Sequence, residues 1–276
     1  MTEKVPRSWK QHVRSCVVSL VVILLIGWVV EDVVVHWMVW HFNREYCEEN
    51  PNLSILPTPL KDSTIAKLTG TRVEKFGYSF QVPWDAADIE HAGKEVVSLG
   101  FKKSGAGLLV FDPASAIDGV RIIQGTTGRD HSIMNRILGA KTLSSNYDLM
   151  AAAVQSRPND VKWWNSRVQL TGSLLLHMQK DMELVKFKSI HPVASGSVRG
   201  FQFGDPDVAP YSVRLELFDN YDRHYQIVLN GSHVNRAVIT QSEINGLIAS
   251  LQILPHHSVN SSPATAMLLR NSILDE

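Results

Sequence analysis

Apolar and polar positions alternate in three different ways along this chain, and each way predicts a different kind of element. Near the start, Cys16–Val30 is a run of fifteen residues without a charge, preceded by Lys4, Arg7, Lys10 and Arg14. In the middle, Leu170, Leu174, Leu175, Met178 and Met182 recur at spacings of three and four. That is the period of a helix with one apolar face. Elsewhere, Tyr78-Ser79-Phe80-Gln81-Val82 and the stretches around Phe201, Val213–Leu217 and Tyr225–Leu229 alternate strictly. These are strands with one face packed and one face open to water or a partner.

The first run predicts a membrane anchor built on Cys16, Val17, Leu20, Leu24, Leu25, Ile26 and Trp28. A spanning helix needs about 20 apolar residues at ~1.5 Å each, so the clean run is short. Glu31 and Asp32 interrupt it before Val33–Val35 and Trp37–Trp40 resume. Two geometries fit: a span that ends at Val30, or one that continues to about Trp40. The first is preferred, with Val33–Phe42 at the interface and Trp28, Trp37 and Trp40 as an aromatic belt. Lys and Arg crowd the segment before the run and acids the segment after it, which puts the N-terminus in the cytoplasm. The run ends in Gly27-Trp28-Val29-Val30-Glu31-Asp32, without the small-residue pattern of a cleavage site. The anchor is therefore read as uncleaved.

The organisation that follows is a cytoplasmic N-terminus (1–14), an anchor and interfacial segment (15–40), a tether (41–70), an extracytoplasmic α+β domain (71–254) and a mobile tail (255–276). Asn50, Pro51, Pro57 and Pro59 punctuate the tether, with room for a helical turn or two in Asp62–Leu68. Within the domain, Val96–Phe101 and Leu108–Phe111 predict a hairpin, and Val120–Ile123 a short strand. Helices are predicted at about 131–138, from Asn146 to before Pro158, and over 166–182. Val185 and Phe187 begin an antiparallel meander, and the capping box Thr240-x-x-Glu243 opens a last helix.

In order, Gly77-Tyr78-Ser79-Phe80-Gln81-Val82-Pro83-Trp84, a hairpin, helices, a meander and a capped helix ending Ile248-Ala249-Ser250-Leu251 resemble the PsbP-like α-β-α sandwich superfamily, which includes DcrB-like lipoproteins. The matching pieces cover about half of the exported region. The resemblance implies an antiparallel sheet with packed helices and a role in binding or assembly, with no shared catalytic residues to carry over.

Charge and candidate chemistry narrow the function without naming it. The chain has 27 basic and 27 acidic residues, which argues against a nucleic-acid partner. Its cysteines are Cys16 and Cys47, so no disulfide framework or zinc spacing exists within the domain, and Cys47 reads as a lone thiol near the membrane. Gly139-Ala140-Lys141-Thr142 lacks the second glycine of a phosphate loop. Ser195-Gly196-Ser197-Val198-Arg199 lacks the glycines of a nucleophile elbow. His256-His257 has no carboxylate nearby to complete a metal site, and Asp205, Asp207, Asp219 and Asp222 suit turns better than calcium. No cofactor is expected.

Trp163-Trp164 is the candidate binding element. On a helix, adjacent side chains point about 100° apart, leaving at least one tryptophan outward. Two functions remain open. One is a single-pass membrane module, periplasmic in a Gram-negative cell, that binds lipid through its N-terminal helix and an envelope protein through its domain. The other is an exported hydrolase, which requires His131, His191, His224 or His233 beside a serine or carboxylate in one cleft.

Overall fold

Sequence alternation becomes antiparallel sheet and helical periodicity becomes helix, giving an α+β protein. The computed structural model describes residues 30–115, 145–184, 186–230 and 238–254. The anchor run up to Val29, the strand expected at Val120–Ile123, the helix expected near 131–138 and the tail 255–276 lie outside the described residues. Among the described residues, no helix is long and apolar enough to cross a membrane.

Four α-helices are described: α1 (residues 30–49), α2 (Asn146–Gln155), α3 (Arg167–Leu184) and α4 (Gln241–Ser250). The strands are β1 (Arg72–Lys75), β2 (Tyr78–Gln81), β3 (Ile89–Ala92), β4 (Val96–Phe101), β5 (Ala106–Phe111), β6 (Ile190–Ser195), β7 (Val198–Phe203), β8 (Val213–Asp219), β9 (His224–Asn230) and β10 (Gln252–Ile253). The chain divides into two compact units, each assembled from two separated stretches: Met1–Thr58 with Ile117–His191, and Pro59–Ala116 with Pro192–Glu276. The boundary falls within β6. The sequence reading expects one domain over 71–254.

In the second unit, β1, β2 and β10 form a three-stranded sheet, and a seven-stranded sheet runs β3-β4-β5-β9-β8-β7-β6. The predicted hairpin is β4–β5, which pairs Val96 with Phe111 and Phe101 with Ala106. Its tight turn uses Gly105 at φ 73°, a conformation that glycine adopts without steric cost. Leu99, Leu108, Leu215, Leu217, Ile227 and Leu229 share one face of the large sheet. They pack in one core with Tyr78, Phe80 and Trp84 and with Ile244, Leu247 and Ile248 of α4. Each fully buried Leu or Ile here contributes about 1.5–3 kcal/mol. Thr240 caps α4 as expected: its side chain accepts from Glu243 N, and the Glu243 carboxylate accepts from Thr240 N.

In the first unit, α2 is capped by Ser145, whose hydroxyl accepts from Asp148 N, one residue ahead of the cap expected at Asn146. Helix α3 lies where the periodicity puts it, but rotated. Leu175, Met178 and Met182 of the expected buried stripe are 44%, 44% and 62% exposed, whereas Leu170, His177, Lys180 and Leu184 are buried. Hydrophobicity alone misassigned the face because His177 and Lys180 find polar partners inside. Residues 41–49, expected within a tether, are helical, and Pro51–Ser54 is a 3-10 turn that buries Leu53. Residues 61–69 are extended or irregular rather than helical. Phe187 is buried before β6 rather than within a strand, and His191, expected in a loop, is a buried residue of β6.

Candidate functional site

Helix α1 has two chemically distinct faces. Val30, Val33, Val34, Trp37, Met38 and Phe42 project outward and are 48–56% exposed. Their spacings of three and four place them on one side. From Arg44 the exposed positions become charged: Arg44 pairs with Glu48 at 2.7 Å, and Glu45 and Glu49 are exposed beside them. Val30 to Phe42 spans about 18 Å, twelve steps at helical rise, and its outward side is mainly apolar with Glu31 and His41 exposed among the apolar side chains.

The opposite face of α1 meets α3 through a ladder of polar contacts. Arg167 donates to Asp32 at 2.5 Å. Asn43 Nδ2 donates to the Leu170 carbonyl at 2.9 Å. Cys47 Sγ is 3.3 Å from His177 Nδ1, and Asn43 Oδ1 is 3.2 Å from the same nitrogen. Tyr46 donates to Asp181 at 2.9 Å. Just past α1, Lys180 donates to the Leu53 carbonyl at 2.8 Å and also to the Ser156 carbonyl at 2.8 Å. From Asp32–Arg167 to Tyr46–Asp181 the partners advance broadly together, so α1 and α3 run in the same direction. The turn before α3 packs beside the first half of α1, at His36 and Trp40.

Trp163 and Trp164 occupy that turn, which is not helical. The Trp163 ring meets His36 and Trp40 edge-on at 4.9 and 5.3 Å, and its carbonyl accepts from His36 Nε2 at 2.8 Å. Trp164 is 80% exposed. Trp163 is 42% exposed despite these ring contacts, so both tryptophans reach the surface, and a turn rather than a helix carries them.

Burial sets the charge states inside the ladder. It pushes the Cys47 thiol up to about 11, with Glu48 adding to the shift. The His177 imidazole is pushed down by burial and by Lys180, against the opposing pull of the Arg157 carbonyl and Asp160. A neutral thiol beside a neutral imidazole is not an activated nucleophile. Burial also lowers Lys180 to about 8.

The histidines named by the hydrolase reading fall apart. His131 and His233 lie outside the described residues. His191 Nδ1 is 2.8 Å from the Thr58 carbonyl. His224 does stand beside a carboxylate: its Nε2 bonds Glu216, and its ring stacks on Phe218 at 4.6 Å. Yet the Glu216 side chain is only 1% exposed. It also accepts from Gln226 at 2.5 Å and pairs with Arg214 at 3.0 Å. No hydroxyl or thiol is among these partners. Among the described residues, no cluster of three or more His, Cys, Asp or Glu could hold a metal ion.

The second unit offers an open groove of about 340 Å³, lined by Pro59, Leu60 and Ile65, by Val193 and Ala194 of β6 and by Ile248 of α4. Asn245 fixes one wall, donating to the carbonyls of Asp62 and Thr64 at 3.0 and 2.8 Å. Comparison with protein-family models, with curated proteins and with solved structures finds no match to the chain.

Proposed function

We propose that the chain is a single-pass, membrane-anchored extracytoplasmic binding or assembly module, with its N-terminus in the cytoplasm. One observation carries this reading. The outward face of α1 carries Val30, Val33, Val34, Trp37, Met38 and Phe42, interrupted by Glu31 and His41, and is charged from Arg44 onward; in sequence it follows the charge-free run Cys16–Val30. Six large apolar side chains, each 48–56% exposed on one side of a helix, mark an interaction or membrane surface, and a bilayer and its interface would cover them. The binding role is supported by an open groove lined mainly by apolar side chains. The PsbP-like sandwich belongs to the same proposal, supported by the antiparallel sheet and the capped helix α4 packed beside β2.

Two measurements test it together. Alkaline carbonate extraction of native membranes is expected to leave the chain in the pellet, and protease added from the exported side is expected to cleave beyond α1. Release into the carbonate supernatant would refute the anchor. Turnover of a model ester or peptide, abolished by His224→Ala, would refute the binding module in favour of the hydrolase.

A further inference from the structure

The Trp163–Trp164 turn packs beside His36 and Trp40 of α1, and distance along the chain from the charge-free run says what surrounds it. On the anchor reading, the fifteen residues Cys16–Val30 would reach about 22 Å as a helix, against a hydrocarbon core of about 30 Å. The missing ~8 Å corresponds to about five more residues, which carries the hydrocarbon boundary to about residue 35. The outward side chains in that stretch are Val30, Val33 and Val34, with Glu31 exposed beside them. The acid on the other side, Asp32, is paired with Arg167, whose long apolar stem lets its charged head reach water. Beyond residue 35 the polar interfacial layer extends for roughly 5–8 Å, which at helical rise covers about residues 36–40. His36 and Trp40, the two residues that hold Trp163, span that layer. Trp164, 80% exposed, projects from the same turn.

We infer that the Trp163–Trp164 turn, with Trp37 of α1, docks in the headgroup layer of the bilayer that receives the anchor, so that the first unit lies against the lipid rather than swinging above it. This rests on the anchor reading above. Indoles favour this layer because the ring is apolar and the N–H is a donor. Lipid is the occupant because a charge-free run precedes Val30 in sequence, and because the exposed apolar side chains of α1 end at Phe42, within about two residues of the outer edge of the layer. Two points of attachment, the anchor and the turn, fix the orientation of α1 and α3 to the membrane plane.

The test uses the full-length chain in phosphatidylcholine–phosphatidylglycerol vesicles, with or without acyl chains brominated near the headgroup, since bromine quenches tryptophan emission on contact. The bromine-sensitive emission is compared between the parent chain and Trp163→Phe/Trp164→Phe, and each chain is also extracted with carbonate. The expected result is a larger bromine-sensitive emission in the parent, with both chains retained by the vesicles. Equal bromine-sensitive emission with both chains retained would overturn the docking and leave the anchor standing. The same result with a dimer captured by crosslinking would assign this face to a second copy. Loss of both chains from the vesicles would overturn the anchor and the docking together.

Discussion

Cys47 Sγ lies 3.3 Å from His177 Nδ1, across two helices whose sequences are 130 residues apart. The contact ties α1 to α3 at the point where Asn43 also reaches His177. With the thiol held up near 11 and the imidazole held down by burial, the pair is a neutral hydrogen-bonded contact at pH 7. Cys47 is therefore expected to resist maleimide in the folded chain and to react once urea unfolds it, measured by peptide mass spectrometry in a Cys16→Ser background. Fast labelling in native buffer would show that the thiol is open. Asn43→Ala removes a donor to Leu170 and a partner of His177, and is expected to cost about 1–3 kcal/mol in urea titrations.

Lys180 makes stability depend on alkaline pH. Its folded value, about 8, lies below its ordinary 10.5, so the unfolded chain holds more protons between these values. Stability from this group is fully present above about 10.5 and is lost as pH falls through about 8. The difference is on the order of 3 kcal/mol. Cys47 acts in the opposite sense: raised from 9.0 to about 11, it stabilises below 9 and loses that contribution by 11. The comparison that isolates Lys180 is Lys180→Met, whose stability relative to the parent is expected to fall steadily from pH 8 to pH 10.5. A pH-independent difference would contradict the buried, partly neutral amine.

Glu216 is the hub of the buried polar group on β8 and β9. Truncating it leaves Arg214 without its nearest carboxylate, and Glu216→Ala is expected to cost about 3–5 kcal/mol. Glu216→Gln keeps the shape and is expected to lose less. Urea midpoints with unchanged slope would establish the order.

Gly200 is required by the close approach of β7 to β8. A Cβ there would lie 1.9 Å from the Glu216 carbonyl oxygen, so the backbone itself must move. Gly200→Ala is expected to exceed the roughly 1–3 kcal/mol of ordinary overpacking. Gly107→Ala serves as the control. Its Cβ would meet Asn230 Cβ at 3.6 Å, and it is expected to be neutral or to gain up to about 1 kcal/mol. Thermal denaturation of the two variants side by side reads the contrast.

Local rules were readable where they act locally. The Thr240–Glu243 box opens α4, the Val96–Phe111 hairpin forms, and the alternation around Leu215 and Ile227 marks the packed face of the large sheet. What the chain hides are pairings across long separations. Lys180 looks solvated by any hydropathy rule, because its burial depends on two carbonyls, Leu53 and Ser156, that only the tertiary fold brings to it. The same displacement turned the apolar stripe of α3 outward. Cys47 reads as a lone thiol because its partner is far away in sequence. Trp163-Trp164 stands out as a pair, but the place of the turn beside His36 and Trp40 follows only from the parallel course of α1 and α3. In the Glu216 group, Glu216 and Gln226 occupy the non-core positions of alternating strands, and nothing local distinguishes a buried polar face from a wet one.

The two units are interleaved along the chain, Met1–Thr58 and Ile117–His191 in one, Pro59–Ala116 and Pro192–Glu276 in the other. Neither can be finished in one continuous stretch of synthesis or export. When Thr58 emerges, its unit still awaits everything from Ile117 onward, and by the time that arrives the other unit is half made. The first is complete once His191 has been made and the second only when the chain from Pro192 follows, so from Pro59 to His191 the growing chain holds two unfinished cores at once. No single cut separates the two units: a chain begun at Pro59 keeps the second whole but carries Ile117–His191 without Met1–Thr58, and a cut at Ala116 divides both.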